Sequence, residues 1–157
     1  PAPTLSLGGF SKGHSMTGWR VGWAAGPAEL IQAMTKFQQF SFVCAPTPMQ
    51  VAAAAALDFD MDEYIQAYRK KRDLIYDGLR DAGYELEKPG GAFYAFVKAP
   101  WGTGTGFVEE CVKNNLLCIP GGCFSDRDTH FRLASSAADD TIRPGVGILA
   151  KLQNKKG

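Results

Sequence analysis

The stretch GFSKGHSMTGWRVG, residues 9–22, sets one lysine among small and hydroxyl residues, with an arginine eight positions on. Lys12 is flanked by Ser11 and Gly13, which let other groups come close. A lysine amine is normally protonated, with a reference pKa of about 10.4. It attacks a carbonyl only when its neutral form is favoured, by burial or by nearby positive charge. Arg20 offers a planar fork suited to phosphate or carboxylate. Ser11, Ser15 and Thr17 can donate hydroxyls to the same anion, and Gly18 and Gly22 allow close backbone approach. A carbonyl compound carrying a phosphate would engage both ends of the segment. The plainer alternative is a surface lysine and an unrelated arginine at a strand edge, and spacing alone leaves both open.

Around this segment the composition is that of a globular chain: 157 residues, 45% hydrophobic, 21% charged, with a formal net charge of +1. That length allows one sizeable core or two small lobes. The near-neutral balance gives no field that would draw nucleic acid or an anionic membrane. No apolar run reaches the roughly 18 residues of a spanning helix. Cys44, Cys111, Cys118 and Cys123 lack CxxC spacing and only two histidines are present. Neither a metal site nor a disulfide framework is therefore expected; free thiols in a cytoplasmic protein are.

Residues 4–7 end a strand or lie in a loop, and 20–25 read as a short strand stopped by Gly26-Pro27. Leu30, Ile31, Met34, Phe37 and Gln38 recur near helical spacing until Pro46 and Pro48 intervene. Residues 48–57 predict a buried, alanine-rich helix. The clearest helix spans 61–82. Asp60 and Glu63 form a capping-box pattern, Ile65, Tyr68, Ile75, Leu79 and Ala82 share a face, and Gly83 is the stop. Its run Arg69, Lys70, Lys71, Arg72, Asp73 reads as a solvated face. Strand-like pieces at 84–87, 92–97, 116–119 and 129–134 then alternate with helical ones at 106–115 and 142–152. In the first of these helices Phe107, Val108, Cys111 and Val112 point inward; in the last, Pro144, Gly145 and Gly147 weaken the opening turns. The alternation predicts an α/β or α+β fold.

GFSKGHSMTGWRVGWAAGP resembles the pyridoxal-phosphate attachment segment of the fold-type I aminotransferases, the aspartate aminotransferase-like class I/II group. Gly9, Phe10, Ser11, Lys12, Ser15, Met16, Gly18, Arg20, Val21 and Gly22 fit the pattern, and MTGWRVGW resembles the aspartate and aromatic branch in particular. Many members carry a serine three residues before the lysine, where its hydroxyl meets the phosphate; here that position is Gly9. Further on, PGGAFYAFV (89–97) resembles the entry strand of the family's small domain. CIPGGCFS (118–125) resembles the loop before the carboxylate-binding strand, and HFRLASSA (130–137) resembles that strand.

The resemblance implies an α/β chain made of the end of the PLP-dependent transferase large domain, residues 1–75, and the small C-terminal α+β domain, 76–157. It implies pyridoxal 5'-phosphate as cofactor, with Lys12 forming the internal aldimine and moving a proton between the substrate α-carbon and the cofactor. Arg20 would bind the phosphate, Ser11 lies among the cofactor-binding residues, and Arg132 would clamp the substrate α-carboxylate. Amino acids and 2-oxo acids are the implied substrates and a homodimer the implied assembly. The family draws its glycine loop, its cofactor-stacking ring and its pyridine-nitrogen aspartate from an earlier part of the chain. Only eleven residues precede Lys12, and Asp58, Asp60 and Asp62 do not match. The expectation, with Pro1 at the start, is the C-terminal part of an aminotransferase that is inactive alone. Lyases and synthases of the same fold, an effector-binding domain of a regulator, and a simple anion-binding module stay open. His14 and His130 read as local hydrogen-bonding or surface residues, and Trp19 and Trp23 as packing.

Overall fold

The computed structural model describes residues 3–155; Pro1 lies outside them. Two compact units divide the chain, one ending at Met61 and the other beginning at Asp62. The mixed composition expected from the sequence is what is observed in element order.

In the first unit, strands β1 (Ser6–Gly9) and β2 (Gly22–Ala25) pair antiparallel, from Ser6 opposite Ala25 to Gly9 opposite Gly22. The chain between them forms the short helix α1 (Phe10–Gly13) and a 3-10 turn at Thr17–Trp19. Pro27 takes the position before α2 (Ala28–Ser41), and its fixed φ suits a helix entry. Pro46 and Pro48 open α3 (Thr47–Ala56) in the same way. The core here is small: Phe10, Met16, Val21 and Ala53 are buried, with Ala45, Met49, Ala52 and Ala56 packed around them. Helix α2 buries no residue at all. The helix expected at 48–57 forms, but its expected burial does not: Val51 and Leu57 are each 65% exposed. Two strands and three helices make too few layers to cover every apolar face. Trp19 is likewise half-exposed, and Trp23 keeps one face open while its ring packs over Gly8.

The second unit is a three-stranded antiparallel sheet with helices on one face. Helix α4 (Asp62–Asp81) is followed by β3 (Tyr94–Lys98), α5 (Gly104–Lys113), β4 (Ile119–Pro120), β5 (His130–Ala134) and α6 (Asp139–Gln153). The strand order is β3-β5-β4, so the last strand inserts between the other two. Alternation sorts the faces. Ala95, Val97, Phe131 and Leu133 point into the core with Ile75, Leu79, Phe107, Cys111, Leu149 and Leu152. Tyr94 and Phe96 face the other way and stay exposed. The second compact unit takes in the whole of α4, with Ile75 and Leu79 buried in its core and Val146 of α6 against Gly78.

Helix α4 ends as its sequence predicts. Gly83 has a φ of +87°, Tyr84 N–H donates to the Leu79 carbonyl at 3.0 Å and Gly83 N–H donates to that of Arg80 at 2.9 Å. This is a Schellman stop, in which glycine avoids the left-handed penalty of a side chain. The charged run is less solvated than expected. Asp73 bridges Arg72 at 2.8 Å and Lys88 at 2.9 Å, while Arg69 and Lys70 stay exposed. The hydrogen bond from Lys88, then that from Arg72, holds the Asp73 carboxyl below its usual range. No strand forms at 84–87, because the segment lacks a partner ladder; one backbone bond, Lys98 N–H to the Glu85 carbonyl, and the ion pair of the same two side chains at 2.7 Å tie it to β3. Val112 is half-exposed rather than inward. Helix α6 begins three residues before its expected start, on Asp139 and Asp140, whose charges suit the positive end of the helix dipole.

Tyr84 is buried, and its O–H donates to the Leu149 carbonyl at 2.8 Å. Burial, then the nearby Cys111 and Cys118 thiols, pushes its phenol well above the usual tyrosine range. The folded state thus holds this proton more tightly than the unfolded chain does. Its contribution is complete below about pH 10, the reference value, and is lost progressively as pH rises above it. In an alkaline titration, one of the five tyrosines is expected to ionise only together with loss of circular dichroism. Tyr84→Phe should flatten that alkaline limb; unchanged alkaline behaviour in this variant would contradict the assignment. The four cysteines are free thiols, as the sequence predicts.

Candidate active site

The Lys12 segment is a closed loop set on the β1–β2 hairpin. Phe10 N–H donates to the Val21 carbonyl at 3.2 Å and joins the two ends; Met16 N–H returns to the Phe10 carbonyl at 3.2 Å. The Thr17 hydroxyl crosses the loop to the Ser11 carbonyl at 2.7 Å. The apolar residues of the motif, Phe10, Met16 and Val21, are the ones buried, and they pin the loop to α3. The polar ones are left outside: Ser11 is half-buried, and Lys12, Thr17 and Arg20 are exposed. This sorting explains why the motif needs apolar residues at those places and polar ones between them.

Two non-glycine residues of the loop sit in the left-handed region, Ser15 at φ 55° and Arg20 at φ 56°. Each such residue costs about 1–3 kcal/mol and persists only where its surroundings impose it. For Arg20 the imposed geometry includes a bond from its own Nη1 to the Thr17 carbonyl at 3.1 Å, which leaves most of the five-donor fork for another partner. The loop therefore carries an amine, a guanidinium and three hydroxyl-bearing residues at exposed or half-buried positions. That donor set fits a phosphorylated aldehyde. The His14 ring lies 5.1 Å from that of Phe10, and its Nδ1 is buried without a partner among the described residues.

Arg132 stands in the second unit, at the middle of β5, opposite Phe96 of β3 and Ile119 of β4. A structural ion pair is the ordinary role for such an arginine, yet no acidic side chain pairs with it among the described residues. Its guanidinium carbon lies 4.3 Å from the centre of the Tyr94 ring and 4.4 Å from that of Phe124. Phe124 also meets Phe96 edge-on, and Phe96 stacks on His130 at 5.0 Å with 2° between the planes. His130 has the local bond expected of it, its Nδ1 lying 2.8 Å from the Thr129 hydroxyl.

The sequence reading missed Tyr94 and Phe124. Period-two alternation puts Tyr94 on the open face of β3, but only the strand register brings it to Arg132. The turn Gly121–Cys123 that carries Phe124 is pressed against β5: a Cβ built on Gly121 would stand 2.6 Å from the His130 carbonyl oxygen. That contact is with backbone, so Gly121→Ala is expected to destabilise the second unit by about 1–3 kcal/mol. Urea unfolding measures it, and a change within error would mean that the turn can lift away at little cost.

The class I and II aminotransferase family model matches residues 1–146. The chain belongs to that family. It is 34% identical over 159 aligned residues to a probable aspartate aminotransferase of Methanocaldococcus jannaschii, covering 94% of this chain and 42% of the relative. It is 32% identical to a probable N-acetyl-LL-diaminopimelate aminotransferase of Bacillus subtilis, covering 98% of this chain and 41% of that one. Among solved structures it superposes on aspartate aminotransferase of Thermotoga maritima with a TM-score of 0.91 at 28% identity, over 96% of this chain and 40% of the other. It also superposes on an aromatic aminotransferase of Pyrococcus horikoshii, with a TM-score of 0.89 at 30% identity, over 95% of this chain and 42% of the other. The chain thus spans about two fifths of the length of these relatives. The fold expected from the sequence, that of the C-terminal portion of an aspartate aminotransferase-like chain, agrees with these matches.

Proposed function

We propose that this chain is the C-terminal portion of a pyridoxal 5'-phosphate-dependent aminotransferase that moves an amino group between an amino acid and a 2-oxo acid. The observation that carries this reading is the closed loop bearing Lys12 and Arg20, with Arg20 held in left-handed backbone. Lys12 would hold the cofactor covalently through Nζ, Arg20 would grip its phosphate, and Ser11 would border the site. When bound, the cofactor supplies the electron sink for the α-carbon of the substrate.

The remaining chemistry falls to the chain's own side chains. Lys12 Nζ carries the proton to and from the substrate α-carbon, a task its exposed position leaves sterically open. Arg132 binds the α-carboxylate, for which the absence of an acidic partner among the described residues suits it. The first 75 residues would belong to the cofactor domain and residues 76–157 to the small domain. The rest of the site would come from the N-terminal part of a chain of the relatives' length, in a cytoplasmic homodimer. No helix among the described residues is long and apolar enough to cross a membrane.

Borohydride reduction of the full-length protein with its cofactor tests the reading without recourse to activity. The cofactor is expected on the peptide containing Lys12; finding it on Lys36 or Lys98 instead would end the assignment. Arg20→Ala should weaken cofactor retention about 10- to 100-fold, the loss of a hydrogen-bonded charge partner. Dialysis followed by cofactor titration measures this, and undiminished retention would remove Arg20 from the phosphate.

A further inference from the structure

We infer that Tyr94 and Phe124 are positioning residues for Arg132: their rings hold the guanidinium on the open face of the sheet in the orientation that meets a carboxylate. The inference rests on the proposed role of Arg132 as the carboxylate clamp. Three observations carry it. First, both ring centres stand within cation–π distance of the Arg132 guanidinium carbon, at 4.3 and 4.4 Å. Second, the rings come from the segments on either side of β5: Tyr94 from β3, and Phe124 from the turn that leaves β4. Third, Arg132 is half-buried and no carboxylate pairs with it among the described residues, so these rings are what orients it.

An arginine side chain turns about several single bonds, and orienting it costs rotamer entropy. A ring against the guanidinium face removes part of that freedom before a ligand arrives, while the N–H edge stays open because aromatic faces accept no in-plane hydrogen bond from it. Preorganisation of this kind appears as affinity, since the ordering has already occurred in the free protein. Phe124 is itself braced, edge-on to Phe96, which is stacked on His130. The brace continues across the sheet and fixes the ring that fixes the arginine.

The test uses the full-length protein, with propionate as the carboxylate probe. In the wild type, the Arg132 Nε–H proton is expected upfield of its random-coil position, shifted by the two ring currents. Tyr94→Leu and Phe124→Leu should each move it back and weaken propionate binding about 5- to 30-fold. Tyr94→Phe keeps the ring and should retain both the shift and the affinity, which a purely structural loss at this position would not reproduce. Both leucine variants are checked for folding by circular dichroism, and one folded variant suffices. Arg132→Gln separates the inference from the reading beneath it. If Arg132→Gln loses propionate binding but the folded leucine variants keep wild-type affinity, the positioning role is overturned and the carboxylate clamp stands. If Arg132→Gln binds as the wild type does, or the wild type takes up no propionate, the clamp itself fails and the inference falls with it.

Discussion

Lys12→Ala is expected to lower kcat of the full-length enzyme by at least about 10²–10⁴-fold, the share that a positioned acid–base group supplies. The loss of covalent cofactor attachment comes in addition. The chemistry needs an amine that alternates between neutral and protonated forms at one place beside the α-carbon. Of the other loop side chains, Arg20 stays protonated at all working pH values, the hydroxyls of Ser11, Ser15 and Thr17 are far weaker bases, and the His14 ring is turned onto Phe10 with its Nδ1 buried. Lys12→Arg should therefore be as inactive as Lys12→Ala, although it keeps the positive charge. Lys36→Ala, on the exposed surface of α2, is expected to leave turnover unchanged. Single-turnover measurements on the three variants discriminate the roles. A Lys12→Arg enzyme with more than a tenth of wild-type activity would mean that the position contributes charge and not proton transfer.

The second large effect belongs to the core. Phe107→Ala is expected to destabilise the second unit by about 3–5 kcal/mol. Phe107 has no solvent exposure. Its ring meets Phe131 at 4.9 Å, Trp101 at 5.1 Å and Tyr84 at 6.3 Å, so it joins α5, β5, the loop before α5 and the segment after α4. Removing it withdraws the shared neighbour of three aromatic rings and opens a cavity that no single side chain can refill. Against a typical domain stability of about 5–15 kcal/mol, this leaves little margin. Urea unfolding monitored by tryptophan fluorescence gives the difference, Trp101 being both reporter and neighbour. A loss below about 1.5 kcal/mol, the range of a tolerated volume-conserving swap, would show that the rings close over the gap. Leu152 adds to the expectation from the other side, its carbonyl accepting a bond from Trp101 Nε1 at 2.9 Å.

Much of this molecule is local, and the local part was legible. The Lys12 segment announced itself because its sorting into apolar and polar positions is written in one short stretch: Phe10, Met16 and Val21 go inward, against α3, and Lys12 and Arg20 stay outward. Helix α4 and its end at Gly83 were equally readable, since a Schellman stop depends only on the few residues around it. Burial is another matter. The apolar face of α3 predicted a buried helix, but whether a face is covered depends on how many layers surround it, and Val51 and Leu57 remain exposed. Residues 84–87 have strand composition and no strand, because a strand exists only where a partner ladder does. The same limit hid the surroundings of Arg132. Residue 132 could be matched to a motif, but Tyr94 lies thirty-eight positions earlier and Phe124 eight, and neither spacing implies a contact. The insertion of β5 between β3 and β4 brings both rings to the guanidinium. Local sequence was enough to shape the loop around Lys12 and the stop at Gly83; the pairing of non-local strands, which no local preference encodes, decided which rings surround Arg132.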